Sequence, residues 1–229
     1  MAAAPSGTAP ARDWLGSLAA GSSEVSPTTS VILAQAWLDI GIQTGDPAAL
    51  TSAIAAARAA STNTAADANI RIAAQRILAN ALDLSGDLDG AIAAYTEVKA
   101  QSPDDIAVLN NLAYSLVRKR ERLPEAVEMA KRVIELSKDQ PSEVRANYMD
   151  TLAQAQLAAG QPAEALATFT TALTLVPMMP DLLLGTAECH LALGDKEKAR
   201  ESLTRLATIK TPLSPPLQAR ATKANAAVT

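Results

Sequence analysis

The sequence predicts an all-α fold of stacked antiparallel helical hairpins, on three observations. The first is compositional: of 229 residues, 48% are hydrophobic but only 3% aromatic, which leaves Ala, Leu, Ile, Val and Met to build the core. Ala and Leu head the helix-propensity scale, while the aromatic and β-branched enrichment expected of strands is missing. The second is a recurring phrase: a Gly turn, an Ala, an aromatic or apolar residue four positions on, and a Pro eight beyond that. Gly86, Ala91, Tyr95 and Pro103 form one copy; Gly160, Ala165, Phe169 and Pro177 form another with identical spacing. The third is that weaker copies keep the rhythm. Gly194, Ala199 and Leu203 lead to Thr211-Pro212, and a copy centred on Ala126 has Arg and Glu where Gly would sit and one extra turn residue. Ala91, Ala126, Ala165 and Ala199 lie 35, 39 and 34 residues apart.

The elements follow in chain order. Residues 1–27 read as a linker-like tail, Ala, Pro, Ser and Gly rich at its start, with a short helix over 12–20 that carries Trp14, Leu15 and Leu18. Residues 28–65 form a degenerate hairpin: Trp37-Leu38 in the first helix, Gly45-Asp46-Pro47 as the turn, and Leu50, Ile54 and Ala57 on the second helix. Four clear hairpins occupy 66–103, 104–141, 142–177 and 178–212, and a capping helix occupies 213–229. That last helix starts at Ser214-Pro215-Pro216, and its Gln218, Arg220, Lys223 and Asn225 supply the polar outer face that the end of a stack needs. Helices of about 14 residues are too short to be stable alone in water, so stacking is obligatory. Ala79, Ala91, Ala153 and Ala165 let backbones approach, and Leu78, Tyr95, Leu152 and Phe169 fill the hollows beside them. Helix starts are expected at Asp46 before Pro47, Asp104 after Pro103, Ser142 after Pro141 and Gln161 before Pro162.

Charge and site chemistry narrow the functions. Twenty Lys and Arg against 24 Asp and Glu give a net charge of -4, so no large basic field exists to hold a nucleic acid or an anionic membrane surface. No stretch approaches 18 apolar residues, and the start lacks the basic and apolar regions of a signal peptide. The chain as it stands reads as cytoplasmic, or as periplasmic or envelope-associated if it is a segment of a larger exported protein. Cys189 is the single cysteine and His190 the single histidine. Adjacent helical residues point about 100° apart, so the two cannot pair as nucleophile and base, and no further His or Cys completes a metal site. Most of Asp83, Asp87, Asp89, Asp104, Asp105 and Asp150 fall at helix starts or turns, where capping explains an acid, and no Gly-rich phosphate loop is present. The expectation is therefore no catalytic residue, no cofactor and no metal. Arg118-Lys119-Arg120-Glu121-Arg122 is the one dense basic run, either a solvated turn or a contact for an acidic partner.

A period near 34 residues with this phrase resembles the tetratricopeptide repeat family. Leu78-Ala79, Leu112-Ala113 and Leu152-Ala153 stand where that family places Leu followed by Gly or Ala, while the last copy has Thr186-Ala187. The sequence departs from it where Trp often opens the first helix, with Gln75, Leu109, Met149 and Leu183. It departs again at the aromatic of the third turn, with Leu82, Leu116, Gln156 and His190. The resemblance implies a right-handed solenoid whose first helices line a concave groove that binds a peptide or protein segment without catalysis. The peptide-binding candidates it implies are Arg76, Asn80, Asn110, Asn111, Tyr114, Arg118, Asn147, Asp150, Thr151 and Gln154, with Gln35, Asp39, Asp83, Leu184 and Glu188 also turned to the groove. Asn80 and Asn111 carry the donor and acceptor groups to bond the main chain of an extended peptide. Some members clamp the C-terminal carboxylate of chaperone tails. Arg76, Asn80 and Asn111 match that arrangement, but Asn147 and Thr151 stand where two cations are required, which disfavours that ligand. The alternative is a structural spacer or self-association unit of a larger envelope- or secretion-related bacterial protein, since Tyr114 is the groove's single aromatic candidate.

Overall fold

The structure, a computed structural model, describes residues 26–229. The helix expected over 12–20 lies outside the described residues. Among those described, eleven helices and no strand are found: α1 (Pro27–Thr44), α2 (Pro47–Ser61), α3 (Ala68–Ser85), α4 (Leu88–Gln101), α5 (Ile106–Lys119), α6 (Leu123–Leu136), α7 (Ser142–Ala158), α8 (Pro162–Leu175), α9 (Pro180–Ala192), α10 (Lys196–Ala207) and α11 (Pro215–Val228). The all-α hairpin architecture is thus the observed one. Packing divides the chain into two units, the first ending at Val108 and the second beginning at Leu109.

In the first unit α1 pairs with α2 and α3 with α4, and α3 also packs on both helices of the preceding hairpin. Ala34, Leu38, Leu50, Ala53, Ala57, Ile77 and Ala81 form a buried cluster with Trp37 and Leu78 against it. Alanines bring the backbones close, and Leu and Ile fill the remaining space, as the composition requires.

In the second unit α7 packs on α6, α8 and α9, and α9 on α7, α8, α10 and α11. One core cluster surrounds Phe169 with Ala146, Met149, Ala153, Ala165, Ala172, Leu182 and Cys189. Another joins Leu183, Leu184, Ala187, Ala199, Leu203 and Leu206 to Leu217, Ala221, Ala224 and Val228 of α11. The last helix contacts α9 and α10 just as α9 contacts α7 and α8. It therefore occupies the place of the first helix of a further hairpin.

Three hairpin turns share one construction. Gly86, Gly160 and Gly194 have φ of 89°, 79° and 81°, a left-handed conformation that glycine adopts without steric cost. The Gly86 N–H donates to Asp83 O at 3.1 Å and the Asp87 N–H reaches back to Leu82 O at 3.0 Å. The turn between α5 and α6 makes the same pair of bonds without glycine: Arg120 N–H to Val117 O and Glu121 N–H to Leu116 O, both 3.1 Å. Arg120 has φ 58°, and the extra residue Arg122 has φ 48°. A side chain in this region costs about 1–2 kcal/mol, so Arg120→Gly is expected to stabilise the protein by about 0.5–1 kcal/mol after the added freedom of the unfolded chain is subtracted. A urea midpoint that does not rise would show that the arginine backbone is not strained.

Helix starts agree in part with expectation. Asp46 caps α2, accepting the Ala48 N–H at 3.0 Å. At α5 the capping acid is Asp105, not Asp104, and it accepts the Val108 N–H at 3.1 Å. Ser142 is not a cap: the extended Pro141, at ψ 151°, stands in the cap position and makes Ser142 the first helical residue. Gln161 holds its cap position without a side-chain bond. Asp67, Asp87 and Asp195 cap α3, α4 and α10, receiving N–H bonds of 2.9, 3.0 and 3.1 Å.

Candidate peptide-binding site

Of the sequence-selected residues, Arg76 and Asn80 belong to the first unit and are tied into its own structure. Arg76 pairs with Asp105 at 3.3 Å. Asn80 Oδ1 accepts the hydroxyl of the buried Tyr95 at 2.7 Å, a structural task beyond the groove role expected of this asparagine. Asn80→Ala would leave that hydroxyl buried without its acceptor and is expected to lower stability by about 1–2 kcal/mol. Tyr95→Phe in the same background should recover part of the loss in a double-mutant cycle; strict additivity would dismiss the pairing.

In the second unit, Tyr114, Arg118 and Gln154 do line one cavity, of about 560 Å³. Its walls are Tyr114, Val117, Arg118 and Arg120 from α5 and its turn, Gln154, Leu157 and Ala158 from α7, Asp181 and Glu188 from α9, and Ser214, Pro216, Leu217 and Arg220 at the start of α11. Tyr114 is 40% exposed, with the Arg118 guanidinium 5.8 Å from its ring centroid. This cation–π contact presents the ring to the cavity with one face partly covered. Asn110 and Asn111 are half-buried and joined side chain to side chain at 3.3 Å, and neither lines the cavity. Asn147 is exposed but also lies away from it.

Two groove assignments are corrected. Thr151 is 5% exposed, its hydroxyl donating to Asn147 O at 3.4 Å, so it belongs to the helix packing of α7. Leu184 is fully buried among the residues that join α9 to α10 and α11. A third correction concerns Arg220, assigned from sequence to the outer face of the capping helix. It points inward: its Nε and one Nη donate to the two carboxylate oxygens of Glu188 at 3.1 and 2.6 Å. The signal was present in the spacing. Arg118, Gln154, Glu188 and Arg220 follow one another at 36, 34 and 32 residues, the repeat period carried into the last helix.

Asp150 lies beneath this surface. Gln154 Nε2 donates to its Oδ2 at 2.6 Å, while Oδ1 is buried without a hydrogen-bond partner. Burial, and next the negative charge of Asp181, raise its pKa to about 7; the Gln154 bond and Arg220 oppose the rise, and Glu188 adds to it. Cys189 is buried in the Phe169 cluster, and burial followed by the charge of Glu188 pushes its thiol up to about 12, far from a reactive thiolate at neutral pH. Among the described residues no three His, Cys, Asp or Glu side chains converge to hold a metal ion. No helix there is long and apolar enough to cross a membrane.

Two family models match, both described as tetratricopeptide repeat, over residues 104–177 and 151–215. A search of curated protein sequences returns no match. Solved structures are similar in fold. A tetratricopeptide repeat protein from Parabacteroides merdae is 15% identical with a TM-score of 0.71, the alignment covering 95% of this chain and 78% of that one. A thermophilic protein of the same repeat type from Thermus thermophilus is 19% identical with a TM-score of 0.61, covering 84% and 99%. MamA from MSR-1 is 20% identical with a TM-score of 0.58, covering 83% and 99%. With the repeat period, the helical hairpins and both family models in agreement, residues 104–215 of this chain belong to the tetratricopeptide repeat family.

Proposed function

We propose that the second unit binds a segment of a partner protein along the face formed by its first helices, with the cavity between Tyr114 and Arg220 as the main contact. The repeat fold itself supports a protein–protein interaction scaffold. The observation that carries the finer reading is the cavity: successive first helices α5, α7 and α9, with α11 in the same role, converge on about 560 Å³ of concave surface. Its walls mix an exposed aromatic, aliphatic Val117, Leu157 and Leu217, and charges of both signs, a composition suited to a side-chain-bearing segment. No catalytic step belongs to this reading.

The test is selection of displayed peptides on the whole protein, followed by binding of the best sequence to Tyr114→Ala and Gln154→Ala. At least about a tenfold loss is expected for Tyr114→Ala, as for an aromatic hot spot, with an unchanged melting profile. Failure to enrich any sequence on the parent over the Tyr114→Ala protein would remove this face as the binding surface and leave the spacer or self-association reading.

A further inference from the structure

We propose that residues 12–20 of this chain dock on the outer flank of the first hairpin through Trp14, Leu15 and Leu18, and close that end of the stack. The groove reading concerns the second unit, so the two stand or fall separately.

The burial of α1 is that of a helix with neighbours on both flanks. At about 100° per residue, Ile40, Leu33, Trp37, Ala34 and Leu38 cover roughly 160° of its circumference, wider than the stripe of about 100° typical of a surface helix. One edge of this arc has its partners among the described helices. Ala34 and Leu38 join Leu50, Ala53 and Ala57 of α2 and Ile77 and Ala81 of α3 in a single cluster. The other edge forms a separate cluster of Leu33, Ile40 and Ala49, with Ala36, Trp37 and Ala56 against it. Among the described residues this second cluster draws on α1 and α2 only, and α3, which also packs on this hairpin, contributes nothing to it. Leu33 is nevertheless 5% exposed, Ile40 9% and Ala49 0%. The seam between two helices has an open flank, and leucine and isoleucine side chains on it stay wet unless a third element lies over them. These exposures are those of a single chain, so the cover is part of the same chain.

Residues 1–25, outside the described part, run directly into α1, whose cap is Ser26. Within them, 12–20 has the chemistry that the flank requires. Trp14, Leu15 and Leu18 fall within one arc of about 100° on a helix, with Arg12, Asp13, Gly16 and Ser17 around the remainder. A helix over 12–20 is about 13 Å long, and Leu33 to Ile40 spans about 10 Å of α1. Residues 21–26 then make the connection, an ordinary length for a turn between antiparallel helices. The cluster carries no charged side chain, so a polar segment has nothing to pair with there. A second copy of the chain would meet this flank already covered, and association through it requires the segment to leave first.

The experiment uses the full chain. The emission of Trp14 is isolated as the difference between the parent and Trp14→Phe, and its quenching by acrylamide is followed from about 1 to about 100 µM protein. The expected result is emission blue-shifted from that in urea, quenching reduced several-fold, and no dependence on protein concentration. Leu15→Glu combined with Leu18→Glu should restore free quenching of Trp14 and speed amide hydrogen exchange in α1 and α2 by about tenfold or more, leaving α8 and α9 unchanged. Trp14 quenched in the parent as freely as in urea would overturn the proposal, whatever the double variant does to folding. Quenching that becomes freer on dilution would also overturn it, by assigning the cover to a second copy's segment. Exchange in α1 that the double variant leaves unaltered would do the same. None of these outcomes touches the groove reading, whose test acts through Tyr114 in the second unit.

Discussion

Gly185→Ala is expected to destabilise the second unit by about 2 kcal/mol, although alanine is the better helix former by about 1 kcal/mol. A Cβ at this position would stand 2.2 Å from Phe169 Cζ and 2.6 and 2.7 Å from its Cε atoms. The ring has no room to withdraw: Phe169 is fully buried, packed with Ala153, Ala165, Ala172, Leu182 and Cys189. Overpacking of this kind costs roughly 1–3 kcal/mol, and a rigid ring facing a helix backbone belongs at the upper end. Urea denaturation of the single and double variants checks the mechanism. Phe169→Leu combined with Gly185→Ala should be more stable than the sum of the separate losses predicts, because the smaller side chain vacates the space that the methyl needs. Parent-like stability of Gly185→Ala would mean that α8 and α9 can move apart at no cost.

Asp150→Asn should make the protein more stable at pH 8 by about 2–3 kcal/mol and change nothing near pH 4. The upward direction of the pKa fixes the sign. Asp150 ionises near 3.8 as an ordinary carboxylate and near 7 in the folded protein, so between those values the folded state holds a proton that the unfolded state has released. Stability contributed by this group is therefore lost as pH rises from about 4 to about 7 and stays lost above it. The rise from 3.8 to about 7 sets a limit of about 4 kcal/mol, and the remaining exposure of the side chain argues for a smaller observed effect. Asparagine keeps an acceptor for Gln154 but has no charge to bury, which removes the slope. The check is the difference between parent and variant unfolding free energies across this range. Parallel profiles would show that Asp150 ionises normally.

How far the sequence could be read depended on whether a feature lay within one helix or between helices. The hairpins were legible because Gly86, Gly160 and Gly194 mark turns by their backbone freedom, and Ala91, Ala165 and Ala199 mark close packing by their size. The Arg120 turn was harder to place, since its glycine-like conformation is held by two backbone bonds that any residue can make. Tyr114, Arg118 and Gln154, chosen by repeat register alone, line one cavity. Asp181 and Arg220 were missed because they join the cavity through helices from different repeats, and Arg220 was assigned to the polar outer face of α11. Asn80 was read as a groove residue offering a donor and an acceptor, because nothing local shows that Tyr95, fifteen residues on, needs its oxygen.

The position of α11 also bears on how the cavity exchanges its contents. Among the described residues it packs on α9 and α10, whereas α9 packs on α7, α8, α10 and α11. A helix with fewer packing neighbours opens at a lower free energy than the body it packs on, so in this chain its amides should exchange with deuterium before those of α7 and α9. When it frays, Ser214, Pro216, Leu217 and Arg220 leave the cavity wall together. Release of a segment bound there would then follow the opening of α11 rather than that of the whole stack.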